Sequence, residues 1–300
     1  MNYWKRILAV YFLSLGLLVA SYAHLTAAEP GPQRVVSLAP STTETIFALG
    51  LGDRLVGVTT SCDYPADARK IPKIGGFMSP SLETIAAKRP GLVIGVSSAT
   101  DPAKVRAMER LGLKVTLVSL ASVNDILSSI KSIARLLGSP EAGEKLVGKI
   151  TLQMDQVKDR VAHAPRRSAL FLVGLRPLIA VGGKNFIDEL ITLAGGKNIA
   201  GDATQPWLNL PDEYVVAKAP QVIIEAGMGS ERDQFSQHWA DLKSIPAVQH
   251  RRVYRYPSDK ILRPGPRIGE GLEEIARLLH PECFTNSQGK LVKGMKCESS

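Results

Sequence analysis

The sequence predicts an α/β fold in which two Rossmann-like β/α lobes are joined by a single long helix. Three observations predict this fold class. Short apolar segments alternate with amphipathic segments early in the chain, as strands and helices do in a parallel sheet covered on both faces. The segment from Val123 to Ala162 then has almost unbroken helical character, and a helix-and-strand unit from the early part recurs after it.

The first lobe begins with a buried strand at Val35–Leu38. The next helix ends at Gly50, and we expect Ser41 or Thr42 to cap it, with Glu44 as an acid in its first turn. Further strands are predicted at Leu55–Val58, Leu92–Val96 and Val115–Val118, with helices from Ser81 to Pro90 and from Pro102 to Leu111.

The two lobes are connected by helical sequence that breaks only at Gly138-Ser139-Pro140. Its second part has apolar residues at spacings of three and four, which predicts a helix of about twenty residues and about 30 Å. Strands are then predicted at Ala169–Val173, Val222–Ala226 and Val253–Tyr256, and helices at Phe186–Ala194 and Ile268–Leu279.

An internal repeat predicts that the two lobes resemble each other. Residues 79–96 and 209–226 align so that Glu83 falls on Glu213 and Pro90 on Pro220. A second similarity, in the same order, pairs the helix that ends at Gly50 with a helix that ends at Gly195. A duplicated unit on either side of a long helix indicates two similar lobes with a cleft between them.

The composition is that of a soluble globular protein with a mostly aliphatic core. The 300 residues are 45% hydrophobic and only 6% aromatic, and the formal net charge is +9. Because Lys and Arg are spread along the whole chain, the charge is typical of a solvated surface, and no nucleic-acid partner is predicted.

The N-terminus is typical of a cleaved secretory signal, which predicts a periplasmic protein. Lys5 and Arg6 precede an apolar run, and Thr26-Ala27-Ala28 offers a cleavage point, with an uncut membrane anchor as the alternative. The predicted organisation is a signal peptide at 1–28, an N-terminal lobe at 29–138, a linking helix at 139–165, a C-terminal lobe at 166–285 and a flexible tail at 286–300.

The sequence contains no recognisable catalytic or metal-binding motif, which disfavours an exported enzyme. It has no Gly-x-Ser-x-Gly, His-Glu-x-x-His or phosphate-binding loop, and its histidines lack metal-ligand spacing. His238, beside Trp239, is expected on a surface helix. Cys62, Cys283 and Cys297 cannot all pair within one chain, and a bridge from Cys283 to Cys297 stays open.

The ligand-binding candidates lie in predicted loops around the cleft. Tyr64, Phe77 and Trp207 stand beside Pro or Gly and offer flat contact area to a partly apolar ligand, although ordinary anchoring of the loops would explain them too. Arg263 and Arg267 flank a Pro-Gly-Pro segment. They could bind an anionic side group, cap the cleft or belong to the charged surface.

Glu83 and Glu213 occupy equivalent positions near the starts of two helices. One interpretation is a favourable interaction with the helix dipole. The other uses their symmetry: two carboxylates on equivalent lobe surfaces could meet two arginines on a two-fold symmetric partner.

The chain resembles the ABC-transporter solute-binding proteins of the helical-backbone (class III) type, which bind vitamin B12, haem or ferric siderophores. The resemblance covers about residues 34 to 280. It is carried by Arg34-Val35-Val36-Ser37-Leu38-Ala39-Pro40, Glu44, Asp63-Tyr64-Pro65, Gly75-Gly76-Phe77, Ser81-Leu82-Glu83, Ala194-Gly195-Gly196-Lys197-Asn198-Ile199 and Trp207 ahead of Glu213. The Asp-Tyr-Pro and Gly-Gly-Phe stretches look most like the cobalamin-binding branch.

The resemblance implies a monomeric carrier with no cofactor of its own and no enzymatic activity, whose lobes close little on binding. It implies a corrinoid held between the lobes by Tyr64, Phe77 and Trp207, and a dimeric permease on which Glu83 and Glu213 dock.

Two departures concern the ligand that the resemblance implies. The best-known B12 binder of the family has a tryptophan where Phe77 stands, and a second-lobe disulfide, one of whose cysteines is replaced here by Ala194. Haem, with Tyr64 as an axial ligand, and a ferric siderophore are therefore the alternatives within the family. A sensor or adhesion module is the alternative outside it.

Overall fold

A computed structural model of the chain describes residues 31–226, 238–256 and 259–285. The predicted signal peptide, the predicted tail and Cys297 lie outside the described residues. The strands are β1 (Val35–Ser37), β2 (Leu55–Val58), β3 (Leu92–Val96), β4 (Val115–Val118), β5 (Arg167–Leu175), β6 (Leu178–Val181), β7 (Gly196–Asn198), β8 (Trp207–Leu210), β9 (Val222–Glu225) and β10 (Val253–Arg255). The α-helices are α1 (Pro40–Ala48), α2 (Leu82–Ala87), α3 (Pro102–Arg110), α4 (Val123–Leu136), α5 (Pro140–Val161), α6 (Phe186–Leu193), α7 (Asp212–Lys218), α8 (Pro246–Gln249) and α9 (Ile268–Leu279).

The first lobe is built on a four-stranded parallel sheet in the order β2-β1-β3-β4. Every residue of β3 is buried, as expected for a continuous apolar strand that is covered by helices on both faces. All four strands lie where the sequence predicts them, within a residue. Their short connections place the residues after each strand along one edge of the sheet.

The second lobe is a six-stranded mixed sheet in the order β10-β9-β5-β6-β8, with β7 paired to β5. The expectation of simple β/α alternation is wrong here, because β6 and β8 run antiparallel to their neighbours. Only Arg176 and Pro177 separate β5 from β6, and so short a connection returns the chain as a hairpin. Trp207 consequently begins a strand rather than lying in a loop.

The two lobes share one hydrophobic core. Helices α4 and α5 join the sheets, and the buried face of α5 contributes Val147, Ile150, Met154, Val157 and Val161. These side chains belong to a cluster that runs from Val35 in the first sheet to Phe171 in the second. The predicted two-lobed α/β class with a long joining helix is confirmed. None of the described helices combines the length and the apolar character that crossing a membrane requires.

The repeat predicted from the sequence corresponds to repeated structure. Helix α2 followed by β3 matches helix α7 followed by β9. The residues before Pro90 and Pro220, Arg89 and Ala219, both have φ of 45°. The glycines that follow the other matched pair of helices, Gly50 and Gly195, have φ of 78° and 80°, a conformation that glycine adopts without steric cost.

Two local expectations are wrong. Helix α1 begins at Pro40 with Ala39 as its N-cap and no side-chain cap, so Ser41 and Thr42 lie inside the helix and Glu44 is beyond the first turn. His238, expected at the surface, is largely buried: its side chain is 18% exposed and lies 2.9 Å from Asp212. The next residue, Trp239, is buried at the start of a 3₁₀ turn and donates its indole N–H to Glu225. Burial raises the pKa of Glu225, although the hydrogen bond from Trp239 opposes the shift.

Candidate functional site

A cavity of about 600 Å³ lies between the two lobes. Its first-lobe wall comes from residues that follow each of the four parallel strands, and its second-lobe wall from the β6–α6 connection, the start of β8 and the segment before α9. The lining residues are Ala39, Pro40, Ser41, Ser61, Phe77, Val96, Ser98, Ala99, Leu120, Ala121, Lys184, Asn185, Phe186, Pro206, Trp207, Asp259, Leu262, Arg263 and Pro264. A mostly apolar cavity of this size with few polar groups is typical of a small-molecule site.

Three aromatic residues line the cavity: Phe77 on the first-lobe wall, and Trp207 and the buried Phe186 on the second-lobe wall. Phe77 follows Gly75, whose φ of 106° and close approach to Ser79 and Pro80 leave no room for a side chain. Trp207 pairs with Val181 in the sheet and is 44% exposed. Large exposed aromatic faces that meet a common space are suited to stacking on a flat ligand.

Tyr64 is not among the residues that line the cavity. Its side chain is 47% exposed, and the guanidinium carbon of Arg267 lies 4.0 Å from the centre of its ring. That distance is within the range of a cation–π interaction. The two lobes therefore meet at Tyr64, which comes from the first lobe, and at Arg267, which comes from the second.

Glu44 is buried at 2% exposure and joins the lobes by ion pairs. The Arg267 side chain donates from Nε to Oε2 at 2.7 Å and from Nη2 to Oε1 at 2.8 Å, while Arg263 Nη1 lies 3.1 Å from Oε1. Two simultaneous bonds between a guanidinium and a carboxylate fix both groups. The Arg267 guanidinium is fixed in this way and does not line the cavity. Arg263, which makes a single contact with Glu44, does line it.

Arg263 is shared among three carboxylates. Besides Glu44, its Nη1 contacts Asp63 Oδ1 at 2.7 Å, and its Nη2 contacts Asp259 Oδ2 at 2.7 Å. Burial would raise the pKa of Asp63, but the hydrogen bond and the charge of Arg263 outweigh it and lower that pKa. Burial would lower the pKa of Arg263, but its acidic partners raise it, so the guanidinium stays charged.

Glu83 and Glu213 are both exposed and lie in the first turns of α2 and α7. Ser81 caps α2 by accepting a hydrogen bond from the Thr84 amide, so Glu83 is not needed for that role. Within the described part of the chain, neither glutamate forms an ion pair or a side-chain hydrogen bond. Their carboxylates are thus available to a partner.

The cysteines do not form a site at the cavity. Cys62 is a free, buried thiol close to Thr43 and Thr59. Cys283 is disulfide-bonded, and the proposed partner Cys297 lies outside the described residues. The ligand atoms of His280, Glu282 and Cys283 lie within 4.8 Å of one another. A disulfide sulfur, however, is not the thiolate that binds metals.

The sequence does not predict the three carboxylates that hold Arg263 at the cavity. Glu44 was placed in the first turn of a helix, and Asp63 was noted only as part of a loop motif. Asp259, four residues before Arg263, lies in a predicted cleft loop, but its ion pair with Arg263 is not predicted. The proximity of Asp63 to Tyr64 was the one available signal, because the partners of Glu44 are more than two hundred residues away in the chain.

A family model described as periplasmic binding protein matches residues 35–260 of the chain. The vitamin B12-binding protein of Vibrio campbellii (strain ATCC BAA-1116) is 29% identical over 247 residues, which cover 82% of this chain and 89% of that protein.

Two solved structures are similar over most of their length. The periplasmic vitamin B12 binding protein BtuF of Vibrio cholerae has a TM-score of 0.75 and 25% identity, covering 83% of this chain and 97% of that one. The periplasmic heme-binding protein RhuT from Roseiflexus sp. RS-1 in its apo form has a TM-score of 0.75 and 30% identity, covering 84% of this chain and 100% of that one.

Proposed function

Since the chain belongs to the periplasmic binding protein family, we propose that it captures a corrinoid such as vitamin B12 in the inter-lobe cavity and delivers it to the permease of an ABC importer. The family is a class of solute-binding proteins outside the cytoplasm, not of enzymes. Its members bind small molecules and work with ABC transporter permeases.

The observation that carries this proposal is the apolar cavity with Phe77 and Trp207 on opposite walls. A corrin ring is broad, flat and partly apolar, so two aromatic faces can enclose it without a protein ligand to its metal. The hydroxyl groups of Ser41 and Ser98, on the first-lobe wall, are hydrogen-bond partners for peripheral amides. The similarity to two vitamin B12-binding proteins supports the same ligand.

Calorimetric titration of the purified mature protein with cyanocobalamin, cobinamide, haemin and a ferric siderophore tests the proposal. We expect cyanocobalamin and cobinamide to bind with micromolar or tighter dissociation constants. Phe77→Ala and Trp207→Ala should each weaken that binding about tenfold or more, because each removes a large contact face. Met78→Ala, next to Phe77 but 70% exposed and outside the cavity, is the matched control and should leave affinity unchanged. Absence of binding to both corrinoids would reject the proposal.

Haem is the second candidate, and Tyr64 is the observation that favours it. This exposed tyrosine lies against the Arg267 guanidinium, and a phenolate is an established axial ligand for haem iron. The similarity to RhuT supports this candidate. Tyr64→Phe separates the two ligands. It should abolish the tyrosinate charge-transfer band of a haemin complex, but it should leave cobalamin affinity nearly unchanged.

The permease and the route of export complete the proposal. Glu83 and Glu213 would dock on two arginines of a permease dimer, and residues 1–28 would direct the monomeric protein to the periplasm before cleavage.

The domain boundaries at residues 138, 165 and 285 stay predictions, and limited proteolysis of the folded protein would test them.

A further inference from the structure

We propose that Glu44 is a specificity-determining residue that makes the cavity favour ligands with neutral peripheral groups over ligands with carboxylates. Glu44 would do so by occupying the guanidinium groups of Arg263 and Arg267. The inference rests on the proposed function, because it concerns the ligand class of the same cavity.

The hydrogen-bonding capacity of Arg263 is largely used within the protein. Its Nη1 contacts Glu44 and Asp63, and its Nη2 contacts Asp259 and lies 3.5 Å from the Ser61 carbonyl oxygen. A guanidinium has only five N–H groups, and four of these are on the two Nη atoms. A ligand carboxylate at this wall would therefore have to displace a carboxylate of the protein.

The ion-pair cluster that holds Arg263 has more carboxylates than guanidinium groups. Three carboxylates, those of Glu44, Asp63 and Asp259, contact two guanidinium groups, those of Arg263 and Arg267. Glu44 is the member of the group that solvent cannot screen, because its side chain is only 1% exposed. A ligand at this wall thus meets an Arg263 guanidinium whose charge is neutralised by the carboxylates around it.

Lys184 is the other cation among the described residues that line the cavity. It is exposed on the second-lobe wall, between β6 and α6, so water and salt reduce its effect on a bound ligand. The buried position of Glu44 gives it the larger influence on the charge that the cavity accepts.

Matched ligand pairs that differ only in peripheral charge test the inference. One pair is cyanocobalamin and its monocarboxylic acid, in which one amide is hydrolysed. The other is haemin and its dimethyl ester. The measured quantity is the ratio of the dissociation constant of the charged member to that of the neutral one, for the wild type, Glu44→Gln and Glu44→Asp.

We expect the wild type to bind the neutral member more tightly. In Glu44→Gln the ratio should fall about tenfold in favour of the carboxylate, because one buried negative charge is lost and a guanidinium edge is released. Glu44→Asp, which keeps the charge, should keep the wild-type ratio even if both affinities fall. A merely structural role for Glu44 would weaken both ligands equally and leave the ratio unchanged.

Two further variants keep the test decisive. Asp63→Asn removes a half-exposed partner of Arg263 and should lower the ratio in the same direction even if Glu44→Gln does not fold. Glu189→Gln is the control. Glu189 lies six residues before Gly195, as Glu44 lies six residues before Gly50. Its carboxylate accepts a hydrogen bond from the Val123 amide at 2.9 Å instead of pairing with an arginine. It should leave the ratio unchanged.

The outcomes separate this inference from the proposed function. If the wild type binds no member of either pair, the proposed function fails and the inference falls with it. If the wild type binds but prefers the carboxylates, or if the ratio does not change in Glu44→Gln and Asp63→Asn, only the inference is wrong.

Discussion

His280 is a fully buried histidine at the end of α9. Its Nε2 lies 3.3 Å from the carbonyl oxygen of Gly195, so Nε2 carries the proton that it donates there. Its Nδ1 has no hydrogen-bond partner among the described residues and lies 3.5 Å from a Glu282 oxygen. Burial is the main reason that the pKa of His280 is lowered, and the nearby positive charge of Arg167 acts in the same direction.

The lowered pKa of His280 predicts a pH-dependent stability. The unfolded chain takes up a proton near 6.5 and the folded chain at a lower pH, so the contribution of His280 to the free energy of unfolding should fall as pH decreases below 6.5. The pKa of Glu282 is also lowered, but its effect begins below 4.5. The pKa values of Glu225 and Asp188 are raised, so these carboxyl groups act in the opposite direction, and the difference between wild type and a His280 variant isolates the histidine. Urea unfolding between pH 5 and pH 7 would measure the slope.

Relative to wild type, His280→Gln should lose the fall in stability towards pH 5 that the histidine causes. His163→Gln, at an exposed histidine, is the control. If His280→Gln proves too unstable, an NMR titration of the wild-type ring gives the same answer. An unchanged slope in the variant, or a ring that titrates at 6.5 or above, would contradict the prediction.

At this scale the sequence identifies residue types but not their burial. Tyr64, Phe77, Trp207, Arg263 and Arg267 are recognisable because aromatics and Pro-flanked arginines are scarce. The role of Glu44 cannot be recognised in the sequence, because its burial depends on two arginines that follow it by 219 and 223 residues. The residues near Glu44 in the chain do not indicate these ion pairs.

Helices α4 and α5 form the element that joins the lobes, and a glycine allows their close approach. A Cβ atom at Gly143 would lie 2.5 Å from the Ala134 Cβ, which is much closer than two carbon atoms can approach. Gly148, one and a half turns later on the same helix, is exposed, and a Cβ there would meet nothing within 4 Å.

The two glycines predict opposite effects of one substitution. Gly143→Ala should lower the free energy of unfolding, because the cost of overpacking, about 1–3 kcal/mol, exceeds what alanine adds to helix stability. Gly148→Ala should raise it by up to about 1 kcal/mol, since only the helix propensity changes. Chemical unfolding of both variants would measure the difference. Stabilisation by Gly143→Ala would mean that the two helices can separate without cost.

The elements show which parts of the fold local sequence can predict. The parallel strands of the first lobe and both long helices are marked by continuous apolar runs and by a spacing of three and four. Strands β6, β7 and β8 are not predicted. Strands β7 and β8 lack the continuous apolar run of the first-lobe strands and have exposed residues in them, and β6 belongs to a hairpin that the β/α pattern does not indicate. Such strands are defined by their partners in the sheet more than by their own side chains.

On the scale of the whole molecule, the lobes behave as one packed body. The hydrophobic cluster that begins in the first sheet continues through α5 into the second sheet and α9. Glu44 adds a buried ionic link across the cavity. The repeat gives each lobe a similar exposed helix, so the molecule has two equivalent outer positions at Glu83 and Glu213.

Charge reversal at both positions tests the proposed docking. We expect Glu83→Arg with Glu213→Arg to leave ligand affinity unchanged but to reduce uptake into proteoliposomes that contain the permease by at least about tenfold, because each carboxylate loses an arginine partner. Stability should fall by only about 0.3–1 kcal/mol per site.

Glu141→Arg is the matched control for that experiment. Glu141 is also an exposed acid in the first turn of a helix, so it should show the same small loss of stability with no loss of uptake. Normal uptake by the double variant would favour a helix-dipole role for Glu83 and Glu213.

The core that continues through both lobes has a consequence for the rate at which the importer takes up its ligand. If the protein delivers a ligand as proposed, a body whose core continues through both lobes should change its outline little when the cavity fills, and its empty and loaded forms should present nearly the same face to the permease. The empty protein would then compete with the loaded protein for the same docking surface on the permease. Uptake would therefore decline when the carrier is made in large excess over its cargo, and the number of carriers per importer becomes a property under selection.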